Sequence, residues 1–119
     1  MSDLFVSNIT LEQIAHVEEW IAALRSGKYK QTDSLLRERD TFCCLGVACD
    51  ISKISEWHGN KYLGASLSLP PKVQFYFGMQ GSEGSMSDRK YNHLTGMNDC
   101  GESFQKIADV IEEELASCK

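Results

Sequence analysis

The chain has 119 residues, 42% of them hydrophobic, which is enough for one packed core and points to a single domain spanning 1–119. Its 17 acidic and 12 basic residues leave a net charge of -5, which disfavours nucleic acid and anionic membrane surfaces, because both require several cations facing phosphates. No apolar run reaches the roughly 18 residues of a membrane span, and the opening "MSDLFVSNIT" has no basic region ahead of a long apolar stretch, so a soluble intracellular protein without a secretory leader is expected.

Residues 1–9 read as an N-terminal extension. In "TLEQIAHVEEWIAALRSG", Thr10 and Gln13 form a capping box, and Ile14, Val17, Ile21 and Leu24 recur at helical spacing. An amphipathic helix of about 16 residues follows, with Arg25 near its negative end and Gly27 as the stop.

Between Tyr29 and Phe42 the helical period disappears, and "SLLRERDTFC" predicts two short extended pieces joined by a charged turn at Arg37 to Asp40. Val47, Ile51 and Ile54 then predict a helix over 45–55. The turn signal His58-Gly59-Asn60, with aromatics on both sides, predicts a second small hairpin or an ordered loop.

"LPPKVQFYFG" predicts a two-turn helix bracketed by proline and Gly78, with Val73, Tyr76 and Phe77 turned inward. Residues 78–88, rich in glycine and serine, read as a mobile loop. Phe104, Ile107, Ile111 and Leu115 predict the second principal amphipathic helix, capped by Asp99 or Ser103. The fold class is therefore α+β: two main helices, shorter helices and one or two hairpins. The expected core comprises Ile14, Val17, Ile21, Leu24, Val47, Ile51, Phe104, Ile107 and Ile111.

Five cysteines, two of them adjacent, suit free thiols in a reducing compartment. Their spacing does not match the paired ligands of a zinc site, so neither metal nor cofactor is expected. Cys44, His93 and Asp99 could make a thiol nucleophile, base and orienting carboxylate, although nothing in their spacing brings them together. Nucleotide-binding glycine motifs are absent, and Gly46 either lets a ligand reach backbone N–H groups or permits close packing of its helix. In "MNDCGESF", Asn98, Asp99 and Ser103 can recognise a sugar or base edge or serve as ordinary capping groups.

Taken in order, "W-x3-LRSGKYKQ", "FCCLGVACD", "LP-x2-V" and "MND-x-GESF-x2-IAD-x-IE" resemble a widespread family of small proteins encoded by tailed bacteriophages and prophages, over residues 20–112. This chain carries Ala48 where members often have leucine. The resemblance implies a protein of the host cytoplasm. Family membership supplies no mechanism; phage origin, compact size, the absence of catalytic motifs and the polar set Arg25, Tyr29, Gln31, Asn98, Asp99 and Ser103 together favour a non-catalytic binder of a small anionic ligand, a nucleotide-derived bacterial immune signal that the phage protein sequesters. In that reading Arg25 holds phosphate, Tyr29 or Trp57 stacks on a base, and Gln31, Gly46, Asn98, Asp99 and Ser103 complete the site. The alternative is an interaction module that occludes a host protein through the acidic face of "DVIEEEL", formed by Glu112, Glu113 and Glu114. Either could act as an oligomer with a site shared between subunits.

Overall fold

The computed structural model describes residues 4–86 and 93–118. Five helices and two small sheets make up this α+β domain among the described residues.

Helix α1 spans Leu11–Arg25 and begins at the capping box, where the Thr10 hydroxyl accepts from Gln13 N and the Gln13 amide oxygen accepts from Thr10 N. Its buried stripe runs through Gln13, Val17, Trp20, Ile21 and Leu24, while Ile14, expected inside, is only half-buried. The stripe is turned toward Gln13 and Trp20, whose polar groups both find backbone carbonyl partners. Gln13 donates to Phe75 O at 2.7 Å, and Trp20 donates to Cys44 O at 3.0 Å.

Strands β1 (Lys30–Gln31), β2 (Arg37–Glu38) and β3 (Thr41–Phe42) form a sheet of order β1-β3-β2, with β1 parallel and β2 antiparallel to β3. The hairpin is tighter than expected: Arg37 and Glu38 belong to the strand, and only Arg39 and Asp40 turn, with Arg39 in the left-handed region at φ 57°.

Helix α2 covers Cys44–Ser52, with seven of its nine residues buried: Cys44, Leu45, Gly46, Val47, Ala48, Cys49 and Ser52. A helix apolar on nearly every side belongs at the centre of a fold; α1, α3 and α4 all contact it. It stops earlier than the expected Ser55 because Lys53 turns left-handed at φ 54°, so Ile51 and Ile54 sit half-buried at the margin.

The second hairpin pairs β4 (Trp57–His58) with β5 (Lys61–Tyr62). Helix α3, Pro71–Phe77, ends at Gly78, whose φ of 66° and close approach to Ile9 both suit glycine. Val73 and Phe77 are buried, whereas Tyr76, expected inside, is half-buried.

Helix α4, Leu94–Asp99, was not expected from the sequence; helix α5, Phe104–Ala116, was. Ser103 caps α5 by accepting from Lys106 N at 3.2 Å. Asp99 instead accepts from Ser34 N at 2.8 Å, tying α4 to the turn after β1.

Both segments read as peripheral contribute to the interior. Leu4 and Phe5 are fully buried, and a bridge joins Phe5 to Met79. Met79 and Met86 are also buried, and Leu69 N donates to Ser82 O. The end of the glycine-rich stretch, 87–88, lies outside the described residues.

Candidate functional site

Four regions contain the residues singled out in the sequence, and a fifth was not anticipated. The first is a hub around Asn98, which is 2% exposed. Its Oδ1 accepts from Gln31 Nε2 at 2.9 Å and from Cys44 N at 3.1 Å, and its Nδ2 donates to Thr32 O at 2.6 Å. Gln31 also donates to Glu102 O at 2.7 Å. These groups join β1, α2 and the α4–α5 junction. A buried amide occupied in this way is structural, and it has little left to offer a ligand.

The second is Gly46. A Cβ built there would lie 1.7 Å from Leu36 O, and Gly46 N donates to Cys43 Sγ at 3.3 Å. The packing role therefore accounts for this glycine; its N–H serves as the first bond of the helix cap, with no open approach.

The third is Arg25, which donates to Asp109 at 2.7 Å and to both Glu112 oxygens at 3.2 Å. Its pKa is raised by these bonds, Glu112 first and Asp109 second. The expected phosphate-binding arginine is instead a surface brace between α1 and α5, and it neutralises part of the acidic face on α5. Gln31 and Asn98 meet directly, whereas Arg25 is engaged with Asp109 and Glu112.

Tyr29 and Trp57 do meet, through Asp50. Tyr29 Oη donates to Asp50 Oδ2 at 2.6 Å, and Trp57 Nε1 donates to Oδ1 at 3.0 Å. Burial first, then the bond to Asp50, raises the Tyr29 pKa well above its ordinary value. Phe42 packs edge-on against Tyr29 at 5.1 Å and against Trp57 at 5.8 Å, and Trp57 continues to Tyr62 at 5.0 Å.

A concavity lies elsewhere, between α1 and α3. It measures about 680 Å³ and is lined by Glu12, Gln13, His16, Ile54, Lys72, Phe75 and Tyr76 among others. His16 and Tyr76 stack with ring centres 3.7 Å apart and planes within 1°. Tyr76 O accepts at 2.8 Å from His16 Nδ1, so Nδ1 carries the proton and Nε2 lies 4.0 Å from Glu12. Phe75, 77% exposed, stands at the rim. Only the helical spacing of Pro71, Lys72, Phe75 and Tyr76 hints at this wall, and the sequence pattern turns Tyr76 inward rather than onto a cleft.

Cys44, His93 and Asp99 are each bonded to other partners, Asp99 to Ser34 N. Cys44 Sγ donates to Leu94 O at 3.7 Å, whereas His93 Nδ1 faces Ser85 Oγ at 3.2 Å. Burial raises the Cys43 thiol to about 11 and holds Cys44 and Cys49 well above the usual range. Among the described residues no three His, Cys, Asp or Glu side chains could hold a metal ion, and no helix is long and apolar enough to cross a membrane.

These thiols give a direct expectation. In the folded protein exposed Cys100 should react first with an aromatic disulfide reagent, half-buried Cys118 more slowly, and Cys43, Cys44 and Cys49 only after unfolding. Three or more fast thiols would contradict this burial. Above pH 9.0 the unfolded chain loses the Cys43 proton while the folded chain keeps it to about 11. Stability contributed by the neutral thiol is thus full below pH 9.0 and falls as the pH rises toward 11, which thermal melts across that interval would register.

The arrangement defines a small α+β domain with an open interhelical cleft and an internally bonded polar hub. The chain belongs to the family described as Domain of unknown function (DUF8296), which matches residues 12–115. No curated protein and no solved structure matches it.

Proposed function

We propose that this chain is a phage-encoded, non-catalytic binder of a small ligand, and that it sequesters a nucleotide-derived bacterial immune signal in the host cytoplasm. The observation carrying this reading is the α1/α3 cleft. Its volume of about 680 Å³ falls within the range of small-molecule sites, which are mostly apolar with a few placed polar groups. The His16–Tyr76 stack and Phe75 offer aromatic surface to a base, and Lys72 supplies a cation for a phosphate. The cleft thus takes over the role first given to Arg25, Asn98 and Asp99. Phage origin rests on the ordered sequence motifs.

Calorimetric titration with cyclic nucleotides and ADP-ribose derivatives tests the reading. Saturable binding to the parent chain should weaken at least tenfold in Lys72→Glu and in Phe75→Ser, both at exposed positions. No heat of binding at high micromolar ligand would refute it. The face of α5 is the weaker alternative, since Arg25 already engages Asp109 and Glu112 there.

A further inference from the structure

Arg37 differs from Arg25 in one respect that matters for chemistry: its guanidinium is held in place without being neutralised. Nε donates to Arg39 O at 2.7 Å, which fixes the plane of the group. The guanidinium carbon lies 5.6 Å from the centre of the Phe42 ring and 5.5 Å from that of Trp57, in the notch between two rings inclined at 63°. Trp57 is in turn fixed by Asp50, whose two oxygens are engaged by Trp57 and Tyr29. Among the described residues no carboxylate forms an ion pair with Arg37, and neither terminal NH2 group has a hydrogen-bond partner.

A half-exposed guanidinium that is oriented by its own Nε and by two rings, with both NH2 groups unused, is a preformed two-point donor for two oxygens in a plane. Ordering a free arginine on binding costs conformational entropy, and that cost is reduced here because the side chain is already placed. Lys30, on β1 of the same sheet, and Lys61 on the adjoining hairpin also lack ion pairs among the described residues.

We propose that Arg37, seated on Phe42 and Trp57, is a binding site for the oxyanion of a small ligand, a phosphate monoester or a carboxylate. It shares no residue with the α1/α3 cleft and stands or falls separately from it. Trp57 reports on occupancy, because a bound anion changes the field on its ring while Trp20 stays buried.

The test is tryptophan fluorescence titrated with three probes: inorganic phosphate, adenosine monophosphate and benzoate. A saturable change with at least one probe is expected, weakened about tenfold in Arg37→Lys, which keeps the charge but loses the two-point geometry, and abolished in Arg37→Gln. Arg25→Gln should bind like the parent. Tighter binding of the nucleotide than of phosphate would show that the ligand's ring adds contacts. Equal binding would show that the bare oxyanion suffices. Absence of a saturable change with all three probes, or parent-like affinity in a folded Arg37→Gln, overturns the proposal.

Discussion

Replacing Gly46 by alanine should cost the domain about 3 kcal/mol and lower its urea midpoint by about 2 M, even though alanine is the better helix former by about 1 kcal/mol. The added methyl would meet Leu36 O at 1.7 Å, and that carbonyl cannot move freely because it accepts from Cys43 N at 3.1 Å. Leu36 itself is fully buried, and its N–H donates to Ser66 O at 2.7 Å, so the strain would spread into the segment before α3. Relief requires moving α2 off the β2 segment, which opens a gap among side chains that are now fully enclosed. Chemical denaturation of Gly46→Ala decides the matter. A midpoint equal to the parent's, or above it as helix propensity alone would give, would show that the close approach is not what this position serves.

Removing the Asn98 amide should be at least as damaging. Asn98→Ala leaves Cys44 N buried without a partner and takes the donor from half-buried Thr32 O, at about 1–3 kcal/mol each, together with the lost packing. A loss of about 4 kcal/mol corresponds to a fall of about 15 °C in melting temperature for a domain of this size. Asn98→Asp is the informative companion. It keeps an acceptor for Cys44 N, loses the donor to Thr32 O and places a charge in the interior, so it should not rescue stability at neutral pH. Gln31→Ala, by contrast, removes an exposed partner of the same hub and should cost about 1 kcal/mol. Equal melting temperatures for the parent and Asn98→Ala would show that water replaces the amide without loss.

Local signals made much of the fold readable. The Thr10–Gln13 capping box, the periodicity of α1 and α5, the proline and Gly78 bracketing α3, and the turn at Gly59 each predict structure from neighbouring residues. What remained hidden depends on residues far apart in the chain. The parallel pairing of Lys30 with Thr41 depends on a partner strand eleven residues on, and α4 is a six-residue helix containing Gly96, too short for a period to show. The site residues behaved the same way. Asn98 was recognised as a polar residue worth noting, but its partners Gln31, Thr32 and Cys44 come from two other elements, and only the assembled structure shows its bonding capacity spent. Arg25 and Arg37 are indistinguishable in a list of cations. Acidic residues on α5 occupy one of them, and rings on β3 and β4 leave the other available.

The start of α2 has a consequence for how the chain acquires its structure during synthesis. Cys44 is gripped by Trp20 from the amino-terminal side and by Asn98 from the carboxy-terminal side, so the central helix needs contacts that bracket it by 24 and 54 positions. A ribosome releasing the chain in order presents α1, both hairpins and α2 well before Asn98 emerges, and in that interval Cys44 N and Thr32 O have only water to bond. Until the last quarter arrives, the start of α2 lacks the side-chain partner that closes it in the folded domain. Apolar α2 is the segment most exposed to wrong partners in the meantime.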